Sequence, residues 1–151
     1  MKIIAIVQAR LGSVRLPEKV LKNIGGKPMI ELLLSRLSKS TLVDEIIVAT
    51  SEGTENDKLQ LLVESLGFSC IRGSEEDVLL RFYESAKQMN ADAVVRITGD
   101  CPLIDAEIID KCIKKFKKAS IDYVSNIEPA TFPDGLDVEV VSFKALEKAN
   151  I

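Results

Sequence analysis

The chain has 151 residues, 46% hydrophobic and 28% charged, a balance that suits one folded domain and excludes a disordered chain. Its formal net charge of -3 gives no overall positive field to draw it to nucleic acid or anionic lipid, so any polyanion site has to be built locally. Histidine is absent, which excludes imidazole bases, histidine triads and histidine zinc ligands and leaves carboxylates, cations and bound metal to carry chemistry.

The opening MKIIAIVQAR has an apolar run too short for a signal-peptide core, and no later stretch reaches the length of a membrane span. Cys70, Cys101 and Cys112 are odd in number and lack metal-type spacing, which points to reduced thiols. Together these features predict a cytoplasmic protein with no nucleic-acid or membrane partner.

Short runs rich in Ile, Val and Ala alternate with longer segments of helical period, the pattern of an α/β domain with a mostly parallel sheet and crossover helices. Strands are expected at 2–7, 45–49, 69–72, 93–97, 123–125 and 138–141. The first helix places Ile30, Leu33, Leu34 and Leu37 on one stripe, with Pro28 in its first turn. The second carries Leu59, Leu62, Val63 and Leu66 and ends at Gly67, a natural left-handed cap. The third follows Ser74, whose S-x-x-D spacing with Asp77 suits a helix start, and aligns Val78, Phe82, Ala86 and Met89. A fourth opens at Asp105 and runs through Ile108, Ile109, Cys112, Ile113 and Phe116 to a lysine-rich, solvated end that complements the helix dipole. Ser142 reads as the cap of a last helix, FKALEKANI. It stops after about two turns, so the expectation is a chain lacking a C-terminal portion.

The loop after the first strand is QARLGSVRLPEK. Arg10, Arg15 and Lys19 surround a turn that Gly12 and Ser13 permit and Pro17 stiffens. Guanidinium forks, a lysine charge and accessible amides suit phosphate, yet composition alone slightly favours a solvated basic loop. The loop is neither a Walker loop nor a GxGxxG turn. Asp100, in TGDCPLID, lies where a strand meets a turn. It reads either as a turn former or as a hard-oxygen ligand for Mg2+ at the sheet edge shared with the first loop.

QARLGSVRLPEKVL followed by GGKPMI resembles the signature of the cytidylyltransferases that activate acidic sugars, a family including the 3-deoxy-manno-octulosonate and acylneuraminate enzymes and the spore coat polysaccharide group. The resemblance implies a three-layer α/β/α nucleotide-diphospho-sugar transferase (Rossmann-like) fold. It also implies transfer of CMP from CTP to an acidic sugar, for surface or spore coat polysaccharide, with release of pyrophosphate. Arg10, Arg15 and Lys19 would grip the CTP phosphates, Gln8 and Ala9 would approach the cytosine, and Gly12 and Ser13 would let the loop close. Asp100 is carried over as the Mg2+ ligand, with Arg10, Lys19 and Asp100 as the catalytic set.

RGSEEDVLLR resembles a base-recognition segment, making Arg72, Gly73 and Ser74 candidates for cytosine contacts; a plain helix N-terminus also explains its acidic residues. PDGLDVEV resembles the acceptor side of the pocket, and its alternation puts Asp137 and Glu139 on one face. Residues 1–151 then form the N-terminal nucleotide-binding part of the domain, and the missing portion would carry another metal ligand and the contacts of a homodimer. A non-catalytic nucleotide-binding or assembly module, and a nucleotidyltransferase using another nucleoside triphosphate, are the competing readings.

Overall fold

A computed structural model describes residues 1–13 and 16–150. Its strands and helices are β1 (Ile3–Gln8), β2 (Asn23–Ile24), β3 (Lys27–Pro28), α1 (Met29–Leu37), β4 (Glu45–Ser51), α2 (Asp57–Ser65) and β5 (Ser69–Gly73). There follow α3 (Val78–Gln88), β6 (Ala93–Thr98), α4 (Ala106–Ala119), β7 (Tyr123–Ser125), β8 (Glu139–Ser142) and α5 (Phe143–Ala149).

Six strands form one sheet in the order β5-β4-β1-β6-β8-β7. The first four run parallel, whereas β8 lies antiparallel to both β6 and β7. Both faces are covered, as buried parallel strands require. Ile3, Ala5 and Val7 face a core with α1, α2 and α4, while Ile4 and Ile6 face Phe82 and Ala86 of α3 and Leu146 of α5. This is the expected mostly parallel three-layer arrangement.

The expected strands are all present, with boundaries shifted by one or two residues in most of them. Between β1 and α1 the chain also makes a hairpin, β2 with β3, turned by Gly25 and Gly26 at φ 60° and 93°. Two glycines in the left-handed region are the chemistry such a turn needs. Pro28 closes this hairpin in extended conformation one residue before α1, rather than standing inside the first helical turn.

The third helix is also capped differently from the sequence expectation. Asp77, not Ser74, accepts from the Leu80 N–H and caps α3, while the Ser74 hydroxyl accepts from the Asp77 N–H one turn earlier. A carboxylate serves a helix start as well as a hydroxyl, so the motif alone leaves the boundary three residues uncertain. Asp105 and Ser142 cap α4 and α5 as expected, and Gly67 adopts φ 85° after α2.

Candidate functional site

The register of β1 with β6 decides where chemistry can gather. Gln8 stands opposite Thr98, so the loops that follow these parallel strands leave the sheet side by side at its carboxyl edge. Their union is tight at one point. The Gly99 N–H donates to the Gln8 carbonyl at 2.8 Å, and a Cβ on Gly99 would stand 2.7 Å from that oxygen. Only glycine lets the two backbones approach so closely.

A cleft of about 410 Å³ opens above this junction, lined by Gln8, Ala9, Arg10, Gly12, Ser13, Lys19 and Val20 from the first loop and Arg96, Thr98, Gly99 and Asp100 from β6 and its exit. Lys19 and Asp100, distant in sequence, meet here with Nζ 2.5 Å from Oδ2. That bond, against the opposing effect of partial burial and with help from the lysine charge and the Thr98 hydroxyl, holds the Asp100 carboxyl below its ordinary range. It is ionised at neutral pH and available to a cation.

The first loop is braced from below. Buried Asn56 accepts from the Leu11 N–H at 2.9 Å and donates to the Ser51 hydroxyl at 2.9 Å. Beside it, Arg10 Nη1 lies 3.6 Å from Glu75 Oε1, linking the loop to the segment before α3.

Arg72, Gly73 and Ser74 are not among the residues lining this cleft. The Arg72 guanidinium reaches Gln60 and Asp57 and the carbonyls of Glu52 and Gly53, pinning the end of β5 to the start of α2. Gly73 packs over Arg81, which is 1% exposed and donates to the Ser74 carbonyl. Arg15 lies outside the described residues.

A second, larger cleft of about 800 Å³ shares Thr98 and Asp100 with the first and continues along Cys101–Asp105 to Asp134, Leu136 and Asp137. Asp137 therefore reaches this adjoining space. Glu139 does not: its two carboxylate oxygens are taken by Arg96 and by the Tyr123 hydroxyl. Arg96, Thr98 and Asn56 are site residues that sequence reasoning missed. Arg96 sits within AVVRI, where a charge in a buried strand was the available signal, while Asn56 carries none that distinguishes it from a surface turn.

Cations and one ionised carboxylate thus rim a cleft at the carboxyl edge of a three-layer α/β sheet, the edge at which open α/β folds take their ligands. Residues 4–149 match the family Cytidylyltransferase, and the chain belongs to it. An uncharacterized protein of Methanocaldococcus jannaschii is 49% identical, over 99% of this chain and 60% of its own length. Spore coat polysaccharide biosynthesis protein SpsF of Bacillus subtilis is 34% identical over 95% of this chain and 60% of its own. A 3-deoxy-manno-octulosonate cytidylyltransferase of Pelobacter propionicus is 39% identical over 76% of this chain and 44% of its own. Among solved structures, a cytidylyltransferase of Leptospira borgpetersenii superposes with a TM-score of 0.95 at 36% identity, over 99% of this chain and 64% of that one. The chain thus spans about 60% of the length of the M. jannaschii and B. subtilis relatives and less of the third.

Proposed function

We propose that the cleft binds CTP and that the protein transfers CMP from CTP to an acidic sugar, releasing pyrophosphate. The observation that carries this reading is the meeting of the Gln8–Ser13 loop, Lys19 and Asp100 in one cleft at the sheet edge. The kinship with cytidylyltransferases supports CTP, and the 3-deoxy-manno-octulosonate relative supports an acceptor that carries a carboxylate.

In this reaction an acceptor oxygen forms a bond to the α-phosphorus in line as the bond to the pyrophosphate oxygen breaks, and the acceptor proton passes to solvent or phosphate. Negative charge builds on phosphate oxygens throughout. Arg10 and Lys19 hold that charge, the backbone of Gly12 and Ser13 closes over it, and positioning supplies much of the acceleration. Gln8 and Ala9 face the cytosine; Gly73 and Ser74 lie outside the cleft lining, and the Arg72 side chain is committed to Asp57 and Gln60.

Mg2+ fits this residue set. Among the described residues no group of three or more acidic, cysteine or histidine side chains could enclose a metal alone, but magnesium is commonly held by one or two carboxylates plus substrate phosphates. Asp100 offers such a carboxylate and already holds a cation, the Lys19 ammonium, at 2.5 Å. When bound, the metal neutralises phosphate charge and orients the nucleotide. No helix among the described residues is long and apolar enough to cross a membrane, in keeping with a cytoplasmic nucleotide pool as the source of CTP.

Calorimetric titration of the chain with CTP, UTP, GTP and ATP in the presence of magnesium tests the reading. CTP is expected to bind at least about tenfold more tightly than the others, the discrimination that one or two base-edge hydrogen bonds supply. Equal affinity for all four would remove the cytidine assignment. Pyrophosphate release with an acidic sugar then separates an enzyme from a nucleotide-binding module.

A further inference from the structure

Arg96 is the one charge in β6, and its place in the sheet is informative. Its side chain is 40% exposed and lines the cleft beside Gln8, Thr98 and Asp100, while its strand neighbours Val94, Val95 and Ile97 are fully buried. Directly opposite in the antiparallel register stands Glu139, and opposite Glu139 on the edge strand stands Ser125, two residues from Tyr123. Arg96 Nη1 donates to Glu139 Oε2, and the Tyr123 hydroxyl donates to Glu139 Oε1 at 2.6 Å. A guanidinium, a carboxylate and a phenol are thus strung across β6, β8 and β7.

The division of labour follows from the donors and acceptors. Each oxygen of Glu139 already has a donor, so Glu139 serves as the holder. Among the described residues Arg96 makes that one hydrogen bond, leaving Nε and Nη2, the edge a carboxylate engages with two parallel bonds, uncommitted in a side chain that lines the cleft. Burial, reinforced by the bond to Glu139, pushes the Tyr123 hydroxyl above its ordinary range, so it stays protonated and keeps donating at neutral pH.

The sheet order sets this device to one side of the phosphate loop. Arg96, Glu139 and Tyr123 lie on the β6, β8 and β7 side of β1, while β4 and β5 lie on the other. With the phosphates on the β1 loop, a base laid toward β4 leaves the Arg96 side for the acceptor. We infer that Arg96 receives the carboxylate of the acceptor sugar and determines specificity for it, with Glu139 and Tyr123 as positioning residues; this rests on the acidic-acceptor reading above.

The test uses the 151-residue chain saturated with CTP and magnesium, with 3-deoxy-manno-octulosonate and N-acetylneuraminate as probes and their methyl esters as neutral controls, followed by saturation-transfer NMR. The chain is expected to bind at least one acid and to bind its ester at least about tenfold more weakly. Arg96→Gln should lose the acid by a similar factor and lose far less of its CTP affinity, in a chain whose melt shows that it is folded. Arg96→Lys, which keeps the charge but not the fork, should recover only part of the loss. Glu139→Ala should weaken the acid several-fold, about two- to fivefold for a misplaced hydrogen bond, and Glu139→Gln should restore part of it, a rescue that a merely structural role would not give. Unchanged acid binding in Arg96→Gln, or equal binding of acid and ester, overturns the assignment alone. A loss of CTP affinity as large as the loss of the acid reassigns Arg96 to the nucleotide and also overturns it. Binding of CTP but of neither acid by the parent chain overturns the acidic-acceptor reading itself, and this inference with it.

Discussion

The Lys19 ammonium stands 2.5 Å from Asp100 Oδ2, so the cation proposed for phosphate and the carboxylate proposed for metal neutralise each other within the cleft. A metal-bearing triphosphate bound as proposed would exchange both partners at once, with phosphate in place of the carboxylate at Lys19 and the metal in place of the ammonium at Asp100. Nucleotide and metal should therefore bind cooperatively.

Asp100→Asn separates the two halves of that exchange. Both groups are partly exposed, so the pair is worth only about 0.2–1 kcal/mol. Without magnesium the variant should bind CTP up to about fivefold more tightly than the parent, because Lys19 is released. With magnesium the parent should gain affinity and the variant should not. Calorimetry with and without the metal reads both quantities; a variant that keeps the full magnesium response would take Asp100 out of the metal site.

Gly99→Ala should disturb the junction beneath the cleft, where the added methyl meets the Gln8 carbonyl at 2.7 Å and the Ala9 Cβ at 2.8 Å. Overpacking of this kind costs about 1–3 kcal/mol. Gly12→Ala serves as the contrast, since the nearest atom is the flexible Glu75 carboxylate at 3.9 Å. Denaturant melts should show a marked loss for the first variant and little change for the second. Equal stability of the two would remove the close-approach argument.

Asn56→Ala leaves the Leu11 N–H without its acceptor and the Ser51 hydroxyl without its donor. Stranding such buried groups costs about 1–3 kcal/mol, and the loop that carries Arg10 and Lys19 loses its brace. The expected result is lower stability together with weaker CTP binding. Unchanged CTP affinity would show that the loop is held by other contacts.

Asp110 predicts a pH dependence of folding. Burial pushes its carboxyl up, but hydroxyls from Ser40 and Thr41 and backbone N–H groups outweigh it, so the folded value lies below the ordinary 3.8. A lowered carboxyl contributes stability that is fully present above 3.8 and is lost as pH falls through the folded value. Asp110→Asn should cost about 1.5–3 kcal/mol at neutral pH, the range for hydrogen bonds to a charged group. Chemical melts should show the gap between parent and variant closing below pH 3.8; a gap of constant size would mean that the charge contributes nothing.

The amino-acid order by itself determined the alternation of strands and helices, because the apolar stripes of Ile30–Leu37 and Ile108–Phe116 and the runs of β1, β4 and β6 each carry their period locally. It also marked Asp105 and Ser142 as helix caps, since a cap bonds within three residues of itself. It singled out the Gln8–Lys19 loop and Asp100 as candidates at one shared sheet edge, without saying which side chains touch.

Only the tertiary structure decided which of them meet. Parallel pairing of β1 with β6 is a long-range choice, and it alone brings Lys19 to Asp100 and admits Arg96 to the cleft. The same packing commits Arg72 to Asp57 and Gln60 and turns Glu139 from a free carboxylate into the holder of Arg96. A charge in a sequence is a capacity to bind; its partner depends on which strands lie side by side, and no local pattern around Arg72 or Glu139 encodes that.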